Sequence, residues 1–264
     1  MNTSAVVVRI CHALADFHAC VALQREIWGE DPLEVEPATM FVVAAHTGGQ
    51  VIGAFAGEAL VGFVLAVVGV RDGSPYLHSH MAGVKDGFRD QGIGRKLKLF
   101  QREEALQRGI RLIQWTFDPL EIRNAHFNLN RLRAIAREYQ PNLYGVTTSP
   151  LHRGLRTDRL LAEWHLESAR VIAAVQGDSS EPPVATEALV QIELPAHVPY
   201  GVAGDTSAVT ALQDRLHREF TTHFARGYAA TSLIPGSHPA YVLTPTTHPL
   251  AGGESLKSHP RGIL

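Results

Sequence analysis

The sequence predicts an α/β fold, and three observations predict it. An apolar segment ends in Met81-Ala82-Gly83-Val84, a glycine-bearing turn Arg89-Asp90-Gln91-Gly92-Ile93-Gly94 follows, and an amphipathic stretch fills residues 95–108. That order is strand, turn, helix. Two strand-like runs, 50–55 and 59–70, are joined by Ala56-Gly57-Glu58 and read as a hairpin. A third apolar run, Leu112-Ile113-Gln114-Trp115-Thr116-Phe117, supplies the next strand after the helix.

The remaining elements follow in chain order. Residues 5–10 alternate as a first strand. Phe17, Cys20, Val21, Gln24, Ile27 and Trp28 recur at helical spacing, with Asp16 as cap. Residues 31–37 form a loop or short helix, and 71–75 a turn before a strand over 76–84. On the 95–108 helix, Ile93, Leu97 and Phe100 share one face. Arg95, Lys98, Arg102 and Arg108 line the wetter side. For Lys98 and beyond, a solvated face is the preferred reading.

Leu129, Leu132, Ala136 and Tyr139 follow a 3–4–3 spacing, which predicts a second helix over 124–138 ended by Pro141. An ordered element resumes over 160–171. Residues 174–187 are rich in Gly, Ser, Pro and acidic side chains and read as a linker. A strand over 190–195, a helix over 208–224 and strands over 227–234 and 241–243 make a small β-α-β extension. The extension is too short to bury a full core alone and is expected to pack on the first domain. Residues 244–264 are rich in Pro, Gly, His and Ser and are expected to be disordered.

Composition narrows the class. The chain has 264 residues, 45% of them hydrophobic and 19% charged, with a formal net charge of −2. These values describe a soluble globular protein. No basic block suggests nucleic-acid binding. No apolar run approaches a membrane span of about 20 residues. The N-terminal segment does not read as a secretory signal. Cys11 and Cys20 have neither metal spacing nor a disulfide framework, so a cytoplasmic setting is expected.

The glycine turn aims backbone N–H groups and a helix dipole at one spot, which suits a pyrophosphate. Three phosphate loops compete for it. A P-loop needs Gly-Lys-Ser/Thr, but Gly94 is followed by Arg95-Lys96-Leu97. A dinucleotide-binding turn needs a third glycine where Leu97 stands, and an apolar strand where His78, Ser79 and His80 stand. The third pattern, Arg/Gln-x-x-Gly-x-Gly/Ala, is complete in Arg89, Gly92 and Gly94.

This third pattern resembles the coenzyme A loop of the GNAT acyltransferase superfamily. Val84, Phe88 and Arg89 fall where that family places its strand-end aliphatic, an aromatic and the arginine. Trp115-Thr116-Phe117-Asp118-Pro119-Leu120 and Asn124-Ala125-His126-Phe127-Asn128 also resemble a sparsely characterised branch with a C-terminal extension. The resemblance implies a GNAT-like mixed, mostly antiparallel central sheet flanked by helices. It places an acyl-CoA-binding domain over 1–172, a linker over 173–187, the extension over 188–243 and the tail over 244–264.

It also implies transfer of an acetyl or other short acyl group from acetyl-CoA, or another acyl-CoA, to an amine by direct attack. Arg89, Gln91, Gly92, Ile93, Gly94 and Arg95 would hold the pyrophosphate. Ala82 and Val84 would pair with the pantetheine, an N–H near Ala82 or Gly83 would hold the thioester oxygen, and Asn128 would contact the cofactor. The family's base position falls on His78, and strand alternation puts His78, His80, Ala82 and Val84 on one face. Asp118 either handles protons or caps the turn before Pro119. No metal site is expected, because His78-Ser79-His80 has no third ligand in spacing.

The family's acid is a tyrosine seven residues after a helical asparagine. Counting from Asn128 gives Ile135, and from Asn124 gives Arg131; Tyr139 and Tyr144 are off the spacing. The missing tyrosine favours a second class, an acyl-CoA-binding sensor without catalysis. The acceptor is expected to be a small-molecule or peptide amine, with no nucleic-acid or membrane partner. Edge strands of such domains often pair, which leaves a homodimer open.

Overall fold

The computed structural model describes residues 5–29, 34–145, 154–177, 189–198 and 206–246. Its elements are β1 (Val6–Ile10), α1 (Leu14–Trp28), α2 (Ala38–His46), β2 (Gln50–Ala56), β3 (Ala59–Arg71), β4 (Ser74–Val84), α3 (Ile93–Gln107) and β5 (Leu112–Phe117). These are followed by α4 (Ile122–His126), a π-helical turn (Phe127–Arg131), β6 (Ile135–Gln140), β7 (Arg159–His165) and α5 (Ala169–Val175). The last four are β8 (Val190–Glu193), α6 (Ser207–Phe224), β9 (Tyr228–Ile234) and β10 (Ala240–Pro245).

The strands form one sheet in the order β1-β2-β3-β4-β5-β7-β6-β9-β10-β8. The β4–β5 pair is parallel, and the other neighbours run antiparallel. The mixed, mostly antiparallel sheet expected above is therefore present. Hairpin chemistry explains its first half. Gly57 at φ +61° turns β2 into β3, and Asp72 and Gly73, both at positive φ, make the two-residue turn from β3 to β4. On one face α1 and α2 cover the sheet through Phe17, Phe41, Phe63 and Leu65, while α3 packs Ile93 and Leu97 on the opposite face.

The C-terminal elements do not sit on the first ones as a separate layer. They continue the same sheet, with β9 beside β6, and α6 buries Leu216 and Phe220 in the core that also holds Trp164 and Tyr241. Tyr241 Oη donates to the Pro119 carbonyl across 2.8 Å, fixing β10 to the loop after β5.

Three expectations need correction, and one helix goes unread. The predicted 124–138 helix is a short helix, a π turn and then strand β6. Arg133 at φ +58° breaks the helix. A bulge between Ala136 and Glu138 then turns both Ala136 and Tyr139 inward, so a strand mimics a helical spacing. Helix α2 has no counterpart in the sequence reading. Asp16 lies inside α1 rather than at its cap, at the third helical position. It accepts from His12 and Ala13 N–H and pairs with Arg9 at 2.8 Å. The bond from Arg9 chiefly lowers the Asp16 pKa to about 2. The linker assignment begins too early, because α5 runs to Val175. Its remainder from 178, and the tail beyond 246, lie outside the described residues.

Candidate active site

The parallel strands β4 and β5 pair only at Leu77/Ile113 and His78/Gln114. Beyond that point they separate, and a cleft of about 700 Å³ opens between them. Its walls include Ser79 to Val84 of β4, Trp115 and Thr116 of β5, and Gly94, Leu97 and Lys98 of α3. Trp28, Glu34 and Glu36 form one lip, and Asn124, Phe127, Asn128, Tyr144 and Arg159 the other.

The glycine turn lies at the mouth. Gly92 caps α3 with φ +76°, a left-handed conformation that glycine adopts without strain. The N–H groups of the first helical turn have no acceptor within the helix and point out of its end. Gly94 also lines the cleft; a Cβ there would sit 3.8 Å from Phe127 and 4.0 Å from Val84, an ordinary contact. Arg89 Nε donates to the Val84 carbonyl at 3.1 Å, and the same side chain pairs with Asp86 at 2.8 Å. Gln91 donates to the Gly87 carbonyl, and Asp90 pairs with Arg123 at 3.0 Å. Arg95 instead donates to the Ala174 carbonyl at the end of α5, 2.9 Å away.

Strand β4 carries a bulge that the alternation argument misses. Met81 pairs with Leu65 and Ser79 with Ala66, so His80 is an extra residue. The consequences for direction are visible on both sides. Ser79 contacts Lys98 and Gln101 of α3, and Val84 packs beside Leu97. Gly83 faces the other way; a Cβ there would come within 2.8 Å of Ile27 and 2.9 Å of Trp28 in α1. Close packing under α1 thus requires glycine at this position. His80 also faces this side, with Nε2 3.0 Å from Glu36 Oε1. The two histidines therefore do not share a face with Val84, contrary to the simple period of two.

The proton-handling candidates fall differently from expectation. His78 lies where β4 and β5 still pair, and it is not on the cleft wall. Burial, reinforced by His80 and Lys98, lowers its pKa. Asp118 also lies off the wall. Its Oδ1 accepts from Leu120 N–H at 2.8 Å, which is the turn-capping role. Burial raises the Asp118 pKa to about 6. His80, which carries the contact to Glu36, does line the cleft.

Asn128 is buried on the cleft wall, 3.3 Å from the Asn124 side chain. The two off-spacing tyrosines separate cleanly. Tyr139 is buried, donates to Asp158 at 2.7 Å and stacks on Phe220. Tyr144 lines the cleft with its hydroxyl 2.9 Å from Thr116 Oγ1.

Lys98 is the largest departure from the sequence reading. It is only 4% exposed, not solvated, and its ammonium lies 4.0 Å over the Trp115 ring. Burial lowers its pKa to about 7. Nothing in residue spacing identifies Glu36 as the partner of His80, because the two are 44 positions apart. Among the described residues, no cluster of three or more His, Cys, Asp or Glu could hold a metal. No helix there is long and apolar enough to cross a membrane.

Three solved structures resemble this arrangement at a TM-score of 0.50. A GNAT-family protein of Desulfovibrio desulfuricans is 15% identical, covering 61% of this chain and 99% of its own. The ribosomal-protein-S18-alanine N-acetyltransferase of Escherichia coli is 13% identical, covering 62% of this chain and 96% of its own. Arabidopsis thaliana NAA60 in complex with acetyl-CoA is 13% identical, covering 61% and 99%. At these identities the likeness is one of fold. A search of curated proteins by sequence finds no match. The model of the acetyltransferase (GNAT) family matches residues 16–127, the segment from α1 through β5 to the start of the π turn. The similarity to the acetyltransferase (GNAT) family thus falls on the segment that builds the splayed β4–β5 pair and the glycine turn at its mouth.

Proposed function

We propose that the chain transfers an acetyl or other short acyl group from coenzyme A to an amine. The observation that carries this reading is the wedge between β4 and β5, with a helix N-terminus and its glycine turn at the open end. The residues present suit the cofactor. Gly92, Ile93 and Gly94 offer backbone N–H groups to a pyrophosphate, with the positive end of α3 behind them. Arg89 and Gln91 frame the turn, and Arg95 reaches the phosphates only by leaving the Ala174 carbonyl. The β4 backbone at Ala82 and Val84 accepts the pantetheine as an added strand, and Asn128 offers its amide from the facing wall. A neighbour of the same fold solved in complex with acetyl-CoA supports a coenzyme A thioester as the ligand.

The acceptor amine arrives protonated and must lose a proton before attack. His80, backed by Glu36, is the group on the cleft wall suited to accept it. With Nε2–H donated to Glu36, Nδ1 keeps a lone pair for that proton. Glu34 and Glu36 make this lip acidic, which draws in a cationic amine. The C–N bond forms and the C–S bond breaks, the nitrogen gives its second proton to solvent, and Tyr144, on the same cleft wall, protonates the departing thiolate.

The test is calorimetric titration of acetyl-CoA into the wild type and Gly94→Glu. At Gly94 a Cβ meets only ordinary contacts and no positive φ, so the variant adds a negative charge without backbone strain; the positive φ of Gly92 would confound the same change there. Micromolar wild-type binding that weakens at least tenfold in the variant, with unchanged thermal stability, is the expected result. Wild type that binds no acetyl-CoA refutes the transferase and acyl-CoA-sensor readings together. Binding without turnover across an amine panel selects the sensor.

A further inference from the structure

Lys98 lies at the closed end of the cleft. The last paired residues of the wedge are His78 and Gln114, and the next residue on each strand, Ser79 and Trp115, touches the Lys98 ammonium. Its Nζ donates to Ser79 Oγ at 3.1 Å and to Gln101 Oε1 at 2.7 Å, and Trp164 lies 5.6 Å away. Both acceptors are neutral. Among the described residues no carboxylate pairs with it: Glu163 is engaged by Arg71 and Arg137, and Glu104 by Arg108. A buried ammonium without a counter-ion is costly, and an apolar side chain would fill the same space without that penalty.

The order of parts along the cleft says what would meet this amine. The pyrophosphate cradle is at the mouth, Val84 and Ala82 follow inward, and Ser79 marks the apex. A thioester laid along that line directs its acyl group at the apex. We propose that the acyl donor is a coenzyme A thioester whose acyl chain ends in a carboxylate, of the malonyl or succinyl type. Lys98 then supplies the missing ion pair, with Ser79 and Gln101 holding the ammonium in place. This assignment rests on the acyl-CoA reading above and adds the acyl class. The bonds made and broken in transfer are the same, since the distal carboxylate takes no part in them.

The experiment titrates free CoA, butyryl-CoA and succinyl-CoA into the wild type, then into Lys98→Met. Butyryl and succinyl chains have the same carbon count and differ at the terminal carboxylate. Wild type is expected to bind succinyl-CoA at least tenfold tighter than butyryl-CoA, and Lys98→Met to remove or reverse that preference. Free CoA binding with butyryl-CoA as tight as succinyl-CoA in the wild type overturns the assignment and leaves the cofactor reading standing. Failure of wild type to bind CoA or either thioester removes both. The wild-type comparison decides the matter even where the variant fails to fold.

Discussion

Replacing Lys98 by methionine should stabilise the protein near neutral pH, by an amount that shrinks as the pH rises. The lysine is 4% exposed, and burial lowers its pKa from 10.5 to about 7. A folded pKa below the unfolded one means that the unfolded chain binds the extra proton between those two values. Wild-type stability therefore rises with pH across that window. The penalty on the folded state is about 4 kcal/mol near pH 7 and about 1 kcal/mol near pH 10. Methionine is nearly isosteric, keeps the contact with Trp115 and carries no charge. It loses the bonds to Ser79 and Gln101, about 1 kcal/mol each.

The pH-dependent part is the cleaner quantity, because the lost hydrogen bonds shift the variant equally at every pH. Urea unfolding of both proteins from about pH 7 to about pH 10 should show their difference changing by about 3 kcal/mol, with the variant gaining most at the low end. A difference that stays flat over this range would refute the reasoning. It would mean that Lys98 keeps its charge in the fold, through water or an anion in the cleft.

Two further predictions concern proton handling. His80→Ala should lower turnover about 10²–10⁴-fold, with Glu36→Gln about tenfold, and acyl-CoA affinity should be retained in both; steady-state kinetics with normal turnover by His80→Ala would remove the base assignment. Asp118→Asn should stabilise the fold near pH 7 by about 1–2 kcal/mol, discounted for a side chain 29% exposed, because asparagine keeps the bond to Leu120 without the buried charge. Here the folded pKa is raised, to about 6. The gain should therefore vanish as the pH falls through 6 towards 4, and thermal melts at the two ends check it.

What the sequence makes legible is what short stretches of chain determine. The strand before the glycine turn and the helix after it are fixed within about thirty residues, and the structure places both as read. The Asp72-Gly73 hairpin is local in the same sense. Strand β6 is not, because Ala136 and Tyr139 keep a helical spacing until the bulge at Arg137 is known, and that bulge depends on pairing with β7. The sheet order of the C-terminal strands has the same origin. Pairing of β6 with β9 joins residues about ninety positions apart.

The chemistry of the cleft is non-local for a further reason. One inserted residue, His80, reverses every side-chain direction on β4 beyond it. It separates His80 and Gly83 on the α1 side from Ser79 and Val84 on the α3 side. An acidic partner for His80 then comes from the loop before α2, while the α3 side receives Lys98 with no acidic partner among the described residues. The proposed base and the Lys98 cation therefore lie on opposite faces of β4. That division suits a reaction in which the amine approaches from the α1–α2 side while the acyl chain lies against α3. Neither approach can be read from spacing, because it is the bulge that assigns each residue to its face.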